Sequence, residues 1–148
     1  MGDGGQAVDG VYRARFTVPE AVIDENGHVN NVAYVQWMQD VAVRHWERVG
    51  GMAVNAALGA SWVARAHRIE YLAPAYAGDP VEALTWVADI GRVRSTRKYA
   101  FRRASDGVLL ARGETEWVFV NASTGSPRAI PKEIPGILPV AADPLQTR

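Results

Sequence analysis

The sequence of 148 residues contains no cysteine. This absence excludes disulfides, zinc–thiolate sites, iron–sulfur clusters and thiol nucleophiles. Lysine plus arginine number 16, as do aspartate plus glutamate, so the zero net charge gives no global attraction for nucleic acid. No stretch approaches the roughly 20 apolar residues of a membrane-spanning helix. There is no glycine-rich phosphate loop or dinucleotide fingerprint. We therefore expect neither nucleic acid nor a membrane as a partner.

The start of the chain also lacks the features of a targeting signal. Its first ten residues have neither the basic region nor the apolar region of a secretory peptide. Gln6 stands where a myristoylation signal requires serine or threonine. These absences favour a cytoplasmic protein. Residues 1–10 are rich in glycine and polar side chains, which predicts a loose N-terminal end.

The composition that remains is that of a globular domain. Hydrophobic residues make up 48% of the chain and charged residues 22%, both ordinary values for a folded soluble protein. The length is close to the roughly 150 residues that serve as a prior for one domain. We predict a single domain over residues 11–140, followed by a tail over residues 141–148.

Residues 31–49 show the pattern of a helix that is apolar around most of its circumference. One narrow polar stripe recurs every four residues: Gln36, Asp40, Arg44 and Arg48. Such a helix is predicted to be largely buried. Asn30 is a candidate N-cap, and the glycine pair that begins at Gly50 is predicted to end the helix. Residues 52–59 are predicted to add a short helical turn.

The remainder of the chain favours strands. Five segments have the strand pattern: residues 11–18, 61–71, 81–90, 96–104 and 109–120. Asp106 and Gly107 predict a two-residue hairpin turn. Prolines recur every four residues from Pro127 to Pro139, which excludes a central strand and a helix there and predicts an extended segment. A single buried helix must be covered on most sides, so we predict an α+β fold in which a curved antiparallel sheet wraps around it.

The densest polar cluster, DENGHVNN, spans residues 24–31 and leads directly into the predicted helix. One interpretation is structural, because these residue types favour turns and helix caps. The other is catalytic. The first amides of a helix are unpaired and partly positive, so they can polarise a carbonyl oxygen and stabilise an oxyanion. The carboxylate of Asp24 can then attack that carbon or activate water.

The run DENGHVNNVAYVQW, residues 24–37, resembles the signature of the hotdog-fold thioesterases. It is most similar to the 4-hydroxybenzoyl-CoA thioesterase-like family and to the plant acyl-carrier-protein thioesterases. Two later runs fit less specifically, IEYLAPAYAGD and GETEWVFVNASTGSPRAIP. The resemblance covers residues 11–135. It implies a hotdog fold, a curved antiparallel sheet around one long central helix, and hydrolysis of an acyl thioester.

The resemblance also implies roles for four residues of the loop. Asp24 matches the catalytic carboxylate, as nucleophile or general base, and Asn31 stands where a backbone N–H polarises the thioester carbonyl. Asn26 and His28 match polar residues that place or activate water in the carrier-protein branch. That branch has a Glu–Cys pair after the second strand, which residues 75–79 lack. This departure favours a mechanism centred on aspartate and leaves His28 as a base, a water-orienting group or only a hydrogen-bonding loop residue.

Six basic residues cluster in the second half of the chain: Arg92, Arg94, Arg97, Lys98, Arg102 and Arg103. They can form a solvated strand face, or some of them can bind the phosphates of coenzyme A, for which arginine is suited. The resemblance favours CoA binding by Arg92, Arg94 and Arg97, with a contribution from Arg128. His45 and His67 are interpreted as structural. No histidine has a second ligand at metal-binding spacing, so no metal site is expected.

These observations predict an acyl-CoA thioesterase that needs no metal or redox cofactor. The alternatives are an acyl-carrier-protein thioesterase, a hotdog-fold hydratase or dehydratase, and a non-catalytic acyl-CoA binding module. Unpaired sheet edges favour self-association, and the resemblance implies a homodimer or homotetramer with the active site at the subunit boundary.

Overall fold

The computed structural model describes residues 4–146. In chain order its elements are β1 (Gln6–Val8), β2 (Val11–Thr17), a single 3-10 turn (Glu20–Val22), α1 (Asn31–Arg48), α2 (Gly51–Leu58), β3 (Ala60–Tyr71), β4 (Pro80–Ile90), β5 (Arg94–Arg103), β6 (Leu109–Asn121) and α3 (Glu133–Ile137). Six strands form one antiparallel sheet in the order β1-β2-β4-β5-β6-β3. The predicted α+β class and the five predicted strands are confirmed, with bounds that differ by one or two residues.

The core lies between α1 and one face of the sheet. Met38 and Val41 of α1 are fully buried there, against Tyr12, Val81 and Phe101 from the strands. The sheet bends through three places where the pairing register shifts, in the pairs β3–β6, β4–β5 and β5–β6. Each shift inserts an extra residue into one strand, which bends and twists it locally. These irregularities let the sheet follow the helix.

The burial of α1 is one-sided. Its buried residues alternate with exposed ones at helical spacing, and Val32 on the outer side is 75% exposed. The sequence predicted a helix that is buried around most of its circumference. In the single chain only the side that faces the sheet is covered, because the one sheet cannot reach the opposite side.

Two Asp–Gly pairs behave differently from the prediction. Asp9 and Gly10 both have positive φ, 52° and 80°, and join β1 to β2 with Val8 paired to Val11. This two-residue loop has the positive φ values of a type I′ turn. It places residues 6–8 in a strand, whereas a loose end was predicted over residues 1–10; residues 1–3 lie outside the described part.

The second Asp–Gly pair lies in a longer connection. The N–H of Arg103 donates to the carbonyl of Val108 at 2.8 Å, so the loop between β5 and β6 contains residues 104–107. The predicted two-residue turn at Asp106 and Gly107 is therefore wrong. The Asp106 carboxylate accepts hydrogen bonds from the Val108 N–H and from the Arg103 side chain, and these bonds stabilise the wider turn.

The proline-spaced segment contains a short helix that the sequence analysis excluded. Pro135 occupies the third position of α3, within the first turn, where a helix leaves backbone N–H groups unpaired. The segment that follows packs on the outer face of the sheet. The Ala141 N–H donates to the carbonyl of Val87, and Asp143 pairs with Arg112. The tail predicted over residues 141–148 is bound to the sheet over residues 141–146, and residues 147–148 lie outside the described part.

Within residues 4–146, no helix has both the length and the apolar character needed to cross a membrane.

Candidate active site

The polar segment that precedes α1 folds into a small hairpin. Ile23 and Val29 form an antiparallel bridge, and the Asp24 N–H donates to the carbonyl of His28 at 3.0 Å. Gly27 has φ of +85°, which suits glycine at the tip. The Asp24 carboxylate accepts a hydrogen bond from the Asn26 N–H at 2.9 Å. The local structure thus holds Asp24 through the backbone and through one side-chain oxygen.

Asn30 ties this hairpin to the start of α1. Its side-chain oxygen accepts a hydrogen bond from the Ala33 N–H at 2.8 Å, which is N-capping as predicted. Its amide nitrogen and its backbone N–H both donate to the carbonyl of Val22, each at 2.9 Å. The first turn of the helix is therefore fixed relative to the hairpin. The turn-and-cap interpretation of this motif is correct for Asn30, and it is compatible with a catalytic role for its neighbours.

A cavity of about 300 Å³ opens at this end of the helix. Its walls come from the hairpin, the first turns of α1 and the segment after β3: His28, Val29, Asn31, Tyr34, Tyr71, Leu72, Ala73, Pro74 and Ala75. Two of the four predicted catalytic residues, His28 and Asn31, line it. Asp24 and Asn26 do not line this cavity in the single chain, and they lie on the adjacent hairpin.

Two tyrosines in this cavity were not foreseen. Tyr34 is 3% exposed and packs edge-on against the ring of Tyr71, with ring centroids 5.6 Å apart. The Tyr71 hydroxyl donates to the carbonyl of Asn31 at 3.0 Å. Burial raises the pKa of Tyr34 to about 12, so its hydroxyl stays protonated at neutral pH. The three-residue spacing from Asn31 to Tyr34 places both on one helix face, so the sequence could have predicted Tyr34 as a site residue. No local sequence pattern identifies Tyr71.

The part of the cavity wall that contains Pro74 and Ala75 is stabilised by the side chain of Arg103. Arg103 donates to the carbonyl of Pro74 at 3.2 Å and to the Asp79 carboxylate at 3.1 Å, and it also pairs with Asp106. The Val29 N–H donates to the carbonyl of Ala75 at 2.9 Å. Arg103 was counted in the basic cluster, and in the structure it positions the loop that closes the cavity.

The structure divides the rest of the basic cluster. Arg94 is exposed and pairs with Glu116, and Arg92 is exposed beside it in the turn between β4 and β5. Arg97 does not join this surface. It is 5% exposed and lies in the core, where it hydrogen-bonds to His45. Because β5 alternates its faces, Arg97 points toward the helix, and the predicted surface contact with CoA does not fit its position.

Arg128 is partly engaged in the fold. Its guanidinium donates to the carbonyl of Leu58, at the C-terminus of α2, and lies 5.8 Å from the ring centroid of Phe119. These contacts place it at the same end of the sheet as Arg92, whose carbonyl accepts a hydrogen bond from the Ile130 N–H. Of the predicted CoA ligands, Arg92, Arg94 and Arg128 thus lie in one region.

The two remaining histidines have partners in the protein. His67 on β3 shares a hydrogen bond with Thr115 at 2.8 Å, and His45 is fully buried on α1. Across the described chain, no group of three or more acidic or histidine side chains could hold a metal ion.

The arrangement at the N-terminus of α1 suits chemistry at a carbonyl group. The amides of Asn31 and Val32 belong to the first turn, where a helix leaves N–H groups without intrahelical partners. An anion or a developing oxyanion is favoured there. His28 supplies an imidazole in the cavity wall, and Asp24 supplies a carboxylate on the adjacent hairpin.

A family model described as the thioesterase-like superfamily matches residues 18–138. This chain belongs to that superfamily. The chloroplastic oleoyl-acyl carrier protein thioesterase 1 of Arabidopsis thaliana is 29% identical over 121 residues, which cover 76% of this chain and 33% of the relative. The chain therefore spans about a third of the length of this curated relative.

Solved structures of thioesterases share the fold. A 1,4-dihydroxy-2-naphthoyl-CoA thioesterase from Synechocystis superposes with a TM-score of 0.76 at 17% identity, over 86% of this chain and 95% of its own. A 12:0-ACP thioesterase from Umbellularia californica superposes with a TM-score of 0.77 at 23% identity, over 86% of this chain and 49% of its own. A hypothetical protein from Staphylococcus aureus, solved in complex with CoA, superposes with a TM-score of 0.78 at 19% identity, over 91% of this chain and 90% of its own. The predicted hotdog fold is confirmed.

Proposed function

We propose that this thioesterase-superfamily protein hydrolyses acyl-CoA thioesters to a free acid and coenzyme A. The observation that supports this most directly is the capped N-terminus of α1, which opens on a cavity beside the Asp24 hairpin. Thioester hydrolysis needs a polarised carbonyl and a nucleophile, and this end of the helix offers both.

In the proposed reaction the thioester carbonyl oxygen accepts hydrogen bonds from the amides of Asn31 and Val32. As a general base, Asp24 removes a proton from the water that attacks the carbonyl carbon; the carbon–sulfur bond then breaks, and that proton passes to the leaving thiolate. As a nucleophile, Asp24 attacks the carbonyl carbon itself, and the carbon–sulfur bond breaks to give a mixed anhydride and the thiolate. Water then hydrolyses the anhydride, which regenerates the Asp24 carboxylate and supplies the proton that the thiolate takes up. Asn26 and His28 hold the water on the side of the hairpin.

Coenzyme A is preferred over a carrier protein in this proposal for two reasons. Exposed Arg92 and Arg94, with Arg128 nearby, provide cationic groups that suit the CoA phosphates. The fold neighbour from Staphylococcus aureus was solved with CoA bound. The match to a plant carrier-protein thioesterase keeps acyl-carrier protein as the second candidate substrate.

We propose that the active unit is a homodimer. The strand β3 lies at the sheet edge, is 12 residues long and is mostly exposed along its length. Long uncovered edges favour pairing with another strand. Pairing of two such edges would place the hairpin of one protomer at the subunit boundary. Light scattering should give a mass of at least twice 16.1 kDa, and a fully active monomer would contradict the proposal.

The function is tested with a panel of acyl-CoA thioesters of aromatic, short-chain and long-chain acyl groups, with thiol release followed spectroscopically. We expect turnover of at least one acyl-CoA. Crotonyl-CoA, assayed for hydration in parallel, separates the hydratase alternative. Saturable CoA binding without thiol release from any thioester would favour the binding-module alternative.

The role of the arginines is tested by substrate size. Changing Arg92 and Arg94 to alanine should raise KM for acyl-CoA by several-fold and leave kcat nearly unchanged, because phosphate contacts act mainly through binding. A short acyl-pantetheine thioester, which lacks the nucleotide, should be hydrolysed as before. Equal losses on both substrates would mean that the two arginines support the fold rather than the nucleotide.

A further inference from the structure

A second cavity, of about 210 Å³, lies at the other end of α1. It is formed between the C-terminal half of α1, α2 and the sheet, and its walls include the indole rings of Trp46, Trp62 and Trp117. Trp46 follows Asn31 by 15 positions, which corresponds to about 22 Å along a helix. The two cavities share no lining residue.

This second cavity contains a buried cation. Arg97 lines it, is 5% exposed, and donates from one terminal nitrogen to His45 Nδ1 at 2.9 Å and to Thr85 Oγ1 at 3.1 Å. Over residues 4–146, no carboxylate lies within ion-pair distance of Arg97. A buried charge is costly unless an opposite charge or a full set of hydrogen bonds compensates it.

The two protein partners of Arg97 do not neutralise it. His45 must accept the guanidinium hydrogen bond at Nδ1, so its ring is neutral with the proton on Nε2. Burial, reinforced by the charge of Arg97, lowers the pKa of His45 to about 3. Thr85 donates its own proton to the carbonyl of Lys98 at 2.9 Å. Burial lowers the pKa of Arg97 to about 10, so its charge persists at neutral pH.

Other polar atoms around the cavity also lack partners. The indole N–H of Trp46 and the side-chain oxygen of Asn55 are buried without a hydrogen bond in the described part of the chain. Buried polar groups in folded proteins are almost always hydrogen-bonded, so each exception needs an explanation. Arg97, Trp46 and Asn55 all line this cavity, and a ligand with an anionic head can accept hydrogen bonds from the guanidinium of Arg97.

We propose that this cavity is a binding site for a compact carboxylate with an apolar body. The carboxylate pairs with Arg97, and the body packs against the three indole rings. A cavity of about 150 Å³ holds a benzene molecule, so this larger one accommodates a body of similar size plus the head. The site is distinct from the candidate active site, and binding there requires no hydrolysis.

The first test uses the unmodified protein and equilibrium binding, with no thioester present. Sodium hexanoate is titrated at fixed ionic strength and neutral pH, and tryptophan fluorescence and calorimetry report binding. Hexanoate should bind saturably and at least about tenfold more tightly than 1-hexanol, which has the same body without the charge. Acetate, which has the charge without the body, should also bind at least about tenfold more weakly.

The second test removes the cation. Arg97→Met keeps much of the side-chain volume and leaves no uncompensated charge behind, because Arg97 has no carboxylate partner to lose among the residues that the structure describes. Hexanoate should then bind at least about tenfold more weakly while hexanol is unaffected. Arg15→Met is the matched control, because Arg15 lies on β2 with a side chain 72% exposed, away from the cavity. Its hexanoate affinity should match the unmodified protein.

The third test fills the cavity and leaves Arg97 in place. Ala42 lines the cavity from α1 and is 5% exposed. Ala42→Leu should abolish binding of both hexanoate and hexanol. The proposal is overturned if hexanoate does not bind saturably, if hexanol or acetate binds as tightly, or if a folded Ala42→Leu protein binds hexanoate unchanged. None of these results depends on thioesterase activity, so the proposed function stands or fails separately.

Discussion

The two ends of α1 place polar groups in opposite environments. At the N-terminus, Asp24, Asn26 and His28 lie on a hairpin at the surface, and their neighbours in the chain position them. At the other end, Arg97 and His45 meet in the core although 52 positions separate them in the sequence. Chemistry that is local in sequence is visible in a motif. Chemistry assembled by the sheet becomes visible only when the strands are paired.

The largest expected effect lies at the surface end. Asp24→Asn keeps an oxygen that can accept the Asn26 N–H, but it removes the charge and the basicity. If Asp24 is the base or nucleophile, kcat on the best acyl-CoA should fall by at least about 100-fold, the low end for one positioned acid–base group. Thermal unfolding should be almost unchanged, because the hairpin side chain has little packing to lose.

Glu25→Gln is the matched control for this change. Glu25 is the next residue and is exposed, so Glu25→Gln removes one negative charge from the same hairpin. Its turnover should stay near that of the unmodified protein. Substantial thiol release by a folded Asp24→Asn protein would refute the aspartate mechanism. Unfolding of the Asp24→Asn protein near room temperature would instead show that the main role of Asp24 is to stabilise the turn.

The next effect tests the buried end through pH. The pKa of His45 is about 3 in the folded protein and near 6.5 when unfolded, because burial disfavours its charged form. Between these values the unfolded chain binds one more proton, so this residue destabilises the fold progressively as pH falls below 6.5. The contribution approaches about 1.4 kcal/mol per pH unit.

His45→Gln should remove this contribution, since glutamine can still accept from Arg97 but does not titrate. Chemical denaturation at pH 7 and pH 4.5 should show a smaller loss of unfolding free energy for this variant than for the unmodified protein. His67→Gln, which changes a histidine on the exposed edge strand, should retain the full loss. Parallel pH profiles for His45→Gln and the unmodified protein would show that His45 is not buried as a neutral ring.

Much of the fold could be predicted because its signals are local. Apolar periodicity predicted α1 and the five longer strands, and Asn30 caps the helix as expected. Two of the errors concern turns, where local geometry decides. Asp9 and Gly10 form the tight two-residue turn, whereas Asp106 and Gly107, the same pair, belong to a wider loop because Arg103 and Val108 bond to Asp106.

The candidate site was predicted only as far as the chain is contiguous. The motif identified His28 and Asn31, which line the first cavity, together with the adjacent Asp24. Tyr71 comes from a strand 40 positions away from Asn31, and no sequence pattern links the two. The basic cluster was treated as one surface, but strand alternation sends Arg97 into the core. Side-chain direction along β5 depends on its register, which the sequence alone left open.

The smallest expected effect concerns the joint between the hairpin and the helix. Asn30→Ala removes the cap on the Ala33 N–H and the side-chain hydrogen bond to the Val22 carbonyl. Loss of an N-cap costs about 1 kcal/mol of unfolding free energy, which denaturant titration measures. Asn30→Asp keeps the capping oxygen and places a negative charge at the helix N-terminus, so its loss of unfolding free energy should be smaller.

The kcat of the folded variants tests whether the cap also serves catalysis. If Asn30→Ala lowers kcat under conditions where the protein is fully folded, the cap also orients the amides that face the substrate. Equal stability of both variants and the unmodified protein would mean that the remaining backbone bonds, from the Asn30 N–H to Val22 and from the Val29 N–H to Ala75, suffice to hold the hairpin.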